Sequence, residues 1–338
     1  MKRKALLAAV IGITILIAAA RWRTSTATQS SFAPILAPPC QVALAQGPQD
    51  SDIDRTISEL QKRARQPRGG EHALEQLGYQ YIARARVNND PGDYTLAENA
   101  AACLESRHAN DPAALLVRGH ALHQLHRFRE AEAIARRLVA RREFVLDYGL
   151  LGDVLMEQGR LTEAAAAYQH MIDLKPFYQS YTRAAHLRWL KGDIDGAIDL
   201  TRRAITAASP RNREAIVWAY TRLALYELQR GRLIDAAEAV DAALSTQPDY
   251  PAALLARGRV LLAQSRPSDA VVVLRRAARF NPLPEYQWAL ADTLRLNGLD
   301  GEADSVEHDL IGRGAQTDPR TLACFSRHAA PPRRRPSP

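Results

Sequence analysis

The sequence predicts an all-α solenoid of about seven helix-turn-helix units, and three observations carry that expectation. First, PAALLVRGHAL at Pro112 returns as PAALLARGRVL at Pro251, with eight of eleven residues identical. Second, a punctuation residue followed five places later by Ala recurs in HRFREA, GRLTEA, GDIDGA, GRLIDA, SRPSDA and GLDGEA. The marker alanines are Ala131, Ala164, Ala197, Ala236, Ala270 and Ala303, spaced 33, 33, 39, 34 and 33 residues apart. Such a period is that of a stacked helical hairpin. Third, the chain is 46% hydrophobic but only 6% aromatic and is rich in Ala, Leu and Arg, all good helix formers. No stretch alternates Val, Ile and Thr as a strand would.

The unit is clearest between Val145 and Tyr178. Tyr148, Leu151, Gly152, Leu155, Gly159, Ala164, Tyr168 and Pro176 stand there in aromatic, large, small, turn and terminating places. Gly152 and Ala164 let two helices approach closely, and Tyr148 and Tyr168 fill the space between units. Gly159 suits a left-handed helix end, and Pro176 lacks the amide that a continuing helix needs. This pattern resembles the tetratricopeptide repeat, and the resemblance implies a right-handed superhelix whose concave groove is lined by the first helix, A, of each unit.

From the N-terminus onward, MKRK precedes residues 5–20, an apolar run broken only by Gly12 and Thr14. Residues 1–23 therefore read as a signal peptide or an N-terminal membrane anchor. Ala18 and Ala20 offer a cleavage site, whereas Arg21-Trp22-Arg23 looks like an interfacial collar. Both readings place the repeats in a bacterial-type cell envelope, anchored in the inner membrane facing the periplasm or exported to it. Lipid attachment at Cys40 is disfavoured by Pro38-Pro39 before it. Residues 24–70 read as a linker with one short amphipathic helix at 51–65, from the spacing of Ile53, Ile57 and Leu60. The array occupies 71–314. Its first unit carries about two extra helical turns, and SPRNR at 209–213 adds a longer loop and an early helix start. Residues 315–338 end in a Pro/Arg-rich tail that cannot fold, with no evident terminal capping helix before it. The array also resembles the front part of longer bacterial repeat proteins, which leaves a remnant or regulatory portion of such a protein or enzyme as an alternative.

The net charge of +8 comes from the ends, since residues 24–326 sum to about −1. Without a basic stripe, the array is not expected to track nucleic acid. Phosphate-loop, zinc-protease and nucleophile-elbow motifs are missing from the sequence, so no cofactor, metal or catalysis is expected. His120, His123 and His126 have ligand-like spacing, but no thiol or carboxylate nearby completes a site, which favours ordinary polar-face histidines. GDIDGAID at Gly192 lacks the later oxygen ligands of a calcium loop and reads as a turn with Asp as N-cap. Cys103 falls at a helix B packing place, which favours a buried free thiol over a disulfide.

What remains is a surface. The resemblance implies that groove residues stand at roughly the fifth, ninth, twelfth and thirteenth places of each unit. These are His120 and His123; Asp153, Met156 and Glu157; Thr182, His186 and Trp189; Thr221 and Leu225; Arg259; Asp292 and Arg295. No unit has the Lys and Asn pair of chaperone carboxylate clamps. The expected role is a non-enzymatic scaffold that binds a partner protein or peptide, with a purely structural spacer as the alternative. The membrane becomes a further partner if the N-terminal segment is retained.

Overall fold

The computed structural model describes residues 38–329 apart from 48, 67, 89 and 318. The apolar run at 5–20 and the Pro/Arg tail lie outside the described residues, so the readings of anchor, cleavage and tail do too. Among the described residues there are 17 α-helices and no strand. None of these helices is long and apolar enough to cross a membrane. The chain divides at Ala109 into two compact units.

The first unit contains α1 (Pro39–Ala43), α2 (Asp52–Ala64), α3 (Gly70–Asn88) and α4 (Gly92–Arg107). Ser51 caps α2 through a capping box with Asp54, as Ser-x-x-Asp at a helix start allows. The segment preceding the repeats is more than a linker. Cys40 of α1 and Cys103 of α4 form a disulfide, which corrects the expectation of a buried free thiol and leaves Cys40 no thiol for a lipid. Their separation of 63 residues hid the pairing, because nothing in the local pattern shows α1 folding back onto α4. Polar bonds hold the same strap. Tyr81 donates its hydroxyl to Ala43 O at 2.6 Å, and Gln61 Nε2 donates to Ala45 O at 2.6 Å. Deeper in, Arg84 bridges Asp93 (2.9 Å) and Asp54 (3.0 Å), so three buried charges tie α2, α3 and α4 together.

The second unit stacks six hairpins. The A helices are α5 (Pro112–Gln124), α7 (Val145–Glu157), α9 (Tyr178–Leu190), α11 (Arg213–Gln229), α13 (Pro251–Ala263) and α15 (Pro284–Leu296). The B helices are α6 (Phe128–Val139), α8 (Leu161–Leu174), α10 (Ile194–Ala207), α12 (Leu233–Thr246), α14 (Pro267–Phe280) and α16 (Asp300–Thr317). With α3 and α4 they make seven helix pairs. All six marker alanines are fully buried, because a methyl group is what the A–B approach accommodates. The punctuation residue of each turn has positive φ: Gly159, Gly192, Gly231 and Gly298, and also His126 and Ser265 at 59° and 60°. Asp193 caps α10 by accepting from Gly196 N, as the turn reading expects. After the 209–213 loop, α11 runs 17 residues where α9 and α13 run 13. A last helix, α17 (Pro319–Ala329), follows α16. It supplies the terminal helix that the sequence did not reveal, with Phe325 buried and meeting Trp288 of α15 edge-on at 5.7 Å.

Candidate functional site

The A helices of the second unit carry the expected groove residues, and packing sorts them into three regions. At the α5–α7–α9 end, Asp153 accepts two bonds from Arg183, at 2.8 Å from Nε and 2.7 Å from Nη2. Tyr168, which is buried, donates a third from its hydroxyl at 2.8 Å. Burial works against the charge of Asp153, yet Arg183, helped by His123 and His120, holds its carboxyl below the usual range. Burial likewise opposes the charge of Arg183, and Asp153 outweighs it. This is a closed ion pair that locks neighbouring hairpins. Beside it, burial lowers the pKa of His123, whose Nε2 is buried without a hydrogen-bond partner. Met156 and His120 are half-buried, and Glu157 is exposed.

The α9–α11 region is different. His186 stacks on Trp189 at 5.3 Å, and the Arg222 guanidinium lies over both the Trp189 ring (5.5 Å) and the Tyr226 ring (4.9 Å). Trp189 Nε1 donates to Gln229 Oε1 at 2.6 Å, which fixes the indole. Leu225, half-buried, belongs to the same partly covered apolar surface as Trp189. Burial, and then the charge of Arg222, push the His186 pKa below the ordinary histidine range, so the ring is neutral near pH 7. A rigid aromatic surface with a cation set into it is an anchor for a ligand side chain.

At the α13–α15–α17 end, a cleft of about 550 Å³ is lined by Arg259, Glu285, Trp288, Asp292, Leu296 and Cys324, among others. Arg259 there donates to Glu285 at 2.7 Å.

Three expected contacts are spent inside the fold or turned away. Thr221 is 3% exposed and donates to Val217 O, so it faces the core. Thr182 donates to Gln179 O on its own helix. Arg295 turns onto α16, binding Glu307 and Asp304. Sequence reasoning missed Arg183, Arg222, Tyr226, Gln229 and Trp288. A signal for two of them was present: Arg183 and Arg222 each stand fourteen residues before the marker alanine of their unit. Among the described residues, no group of three His, Cys, Asp or Glu side chains is placed to hold a metal.

Comparison with known proteins accords with this geometry. The family model described as "Tetratricopeptide repeat" matches residues 125–179, 150–213 and 221–283, which coincide with the stacked hairpins of the second unit. The chain is a tetratricopeptide-repeat protein. Among solved structures, a tetratricopeptide repeat protein from Parabacteroides merdae is 14% identical with a TM-score of 0.51, over 72% of this chain and 93% of that one. A chain of the APC/C hetero-tetramer Cut9-Hcn1 is 15% identical with a TM-score of 0.56, over 81% of this chain; the match spans 56% of the Cut9-Hcn1 chain. Those likenesses concern the fold. No curated protein matches the sequence. The tetratricopeptide-repeat fold is in general a scaffold for protein interaction.

Proposed function

We propose that this chain is a non-enzymatic scaffold that captures a peptide or partner-protein segment along the A-helix face of its second unit, in the bacterial cell envelope. The observation that carries the reading is the fixed surface of half-buried His186, Trp189 and Arg222, backed by the buried ring of Tyr226. It joins apolar area to charge at the two junction helices α9 and α11, where a bound segment crossing the hairpins would pass. The envelope location draws support from the sequence at residues 1–23 and from the Cys40–Cys103 disulfide, since such bonds persist in oxidising compartments.

The test is photo-crosslinking in cells with benzoylphenylalanine at position 189 or, as a control, at exposed position 234 on α12. A defined adduct from position 189, in the envelope fraction and lost on Arg222→Ala, is the expected result. Equal labelling from both positions would support a spacer instead. An adduct found only with cytosolic proteins would overturn the location.

A further inference from the structure

Two successive junctions of the array are built on the same plan, and one of them lacks a part. Arg183 and Arg222 occupy equivalent places, fourteen residues before Ala197 and Ala236. Arg183 reaches back to the preceding A helix at Asp153, eleven residues before that helix's marker alanine, and Arg222 reaches back to the preceding A helix over Trp189, which stacks on His186, the residue in the place of Asp153. In the first junction the fit is complete, because Asp153 receives both arms of Arg183 and the Tyr168 hydroxyl. In the second, the carboxylate is replaced by the neutral imidazole of His186. The place of Tyr168 is taken by Thr201, whose hydroxyl turns to Ala197 O. Arg222 is left with one hydrogen bond, from Nη2 to the Tyr226 hydroxyl at 3.1 Å, and its Nε is buried without an acceptor. No carboxylate among the described residues pairs with it.

A half-buried guanidinium with unused donors, held over two rings, is suited to receive a planar two-oxygen anion. We infer that the α9–α11 junction binds an Asp or Glu side chain of a peptide ligand, whose carboxylate supplies Arg222, beside His186, with the charged acceptor that Asp153 supplies to Arg183. The adjoining Trp189 and Leu225 surface receives an apolar side chain next to that acid. This deepens the groove-binding reading and rests on it.

The test uses the full chain and two displayed nonapeptide libraries, random except for a central Glu or a central Gln. The wild type should retain the Glu library over the Gln library by roughly tenfold or more, the factor that one charge-assisted bond supplies. In His186→Asp the site is filled from within, so the ratio should fall to near one while the melting temperature stays at or above that of the wild type. Arg222→Gln, which adds no charge, should give the same loss of preference. A wild-type ratio near one, or a preference that survives in His186→Asp or in Arg222→Gln, overturns the inference while leaving groove binding intact. Retention of neither library overturns both.

Discussion

Gly152 is the place where the helix pair has no slack, and Gly152→Ala measures that. A Cβ built there would lie 2.2 Å from Tyr168 Cε1 and 2.5 Å from Cδ1. The ring cannot swing aside: it is 1% exposed, and its hydroxyl is tied to Asp153, itself gripped by Arg183. Overpacking of this kind costs about 1–3 kcal/mol. Against it stands the gain of up to ~1 kcal/mol for Ala over Gly within a helix. With contacts as short as 2.2 Å the cost belongs at the upper end, about 3 kcal/mol, so the net expectation is destabilisation by about 2 kcal/mol, or roughly 4–8 °C in melting temperature for a unit of this size. Gly312 on α16 is the control, because nothing lies within 4 Å of its Cβ position and it is exposed. Gly312→Ala should therefore stabilise by up to ~1 kcal/mol. Urea unfolding followed by circular dichroism gives both signs, and hydrogen exchange of the α7 and α8 amides localises the first. A Gly152→Ala protein as stable as wild type, or two glycine variants moving in the same direction, would refute the argument for close approach.

The disulfide predicts one reactive thiol, Cys324, in the native protein and three after reduction and unfolding, countable with a chromogenic disulfide reagent. Cys103→Ser should cost the first unit about 4 kcal/mol for a loop of this length, visible as faster proteolysis of α1 and α2. Arg84→Met leaves Asp54 and Asp93 buried without their shared cation and should cost about 3 kcal/mol in thermal or urea unfolding. Ser51, and then Arg84, hold the Asp54 carboxyl below the usual range, and Asp153 is held low by Arg183 against the effect of burial. Depressed folded pKa values stabilise fully above the unfolded pKa of about 4 and are lost as pH falls through the folded values. The two aspartates should accordingly add a loss of stability below about pH 4, with Asp153→Asn removing part of it, beyond an earlier loss that begins near pH 6.5, where the lowered pKa values of His123 and His186 make the unfolded chain bind the extra protons. Ser265→Gly, which relieves a positive φ, should raise stability by about 0.5–1 kcal/mol in the same unfolding assay.

The repeat was legible because its signals are local. The glycine of an A–B turn and the alanine five residues later report on backbone handedness and on one helix face, and both follow from the residue type in place. The equivalence held even at His126 and Ser265, where the turn keeps its left-handed residue without glycine. The candidate site was legible only by position. Trp189 and His186 were found from the unit's register, whereas Thr221 shares that register and is buried, its hydroxyl spent on the preceding turn of α11. Arg295 stands at a groove place and yet binds α16, because a long side chain goes to the nearest carboxylates.

The sequence by itself determined the hairpins, their number, their turns and the small residues at which they meet, since each depends on interactions within a few residues or on a repeated neighbour. Tertiary structure alone decided which charges are consumed and which are offered. The pairing of Cys40 with Cys103, the packing of α17 on α15 and the contrast between a satisfied Arg183 and an unsatisfied Arg222 all depend on where separate helices place their side chains to within an ångström or two. A periodic pattern carries no information on that scale, because equivalent places in the repeat acquire different neighbours when one residue in the adjoining helix changes from a carboxylate to an imidazole.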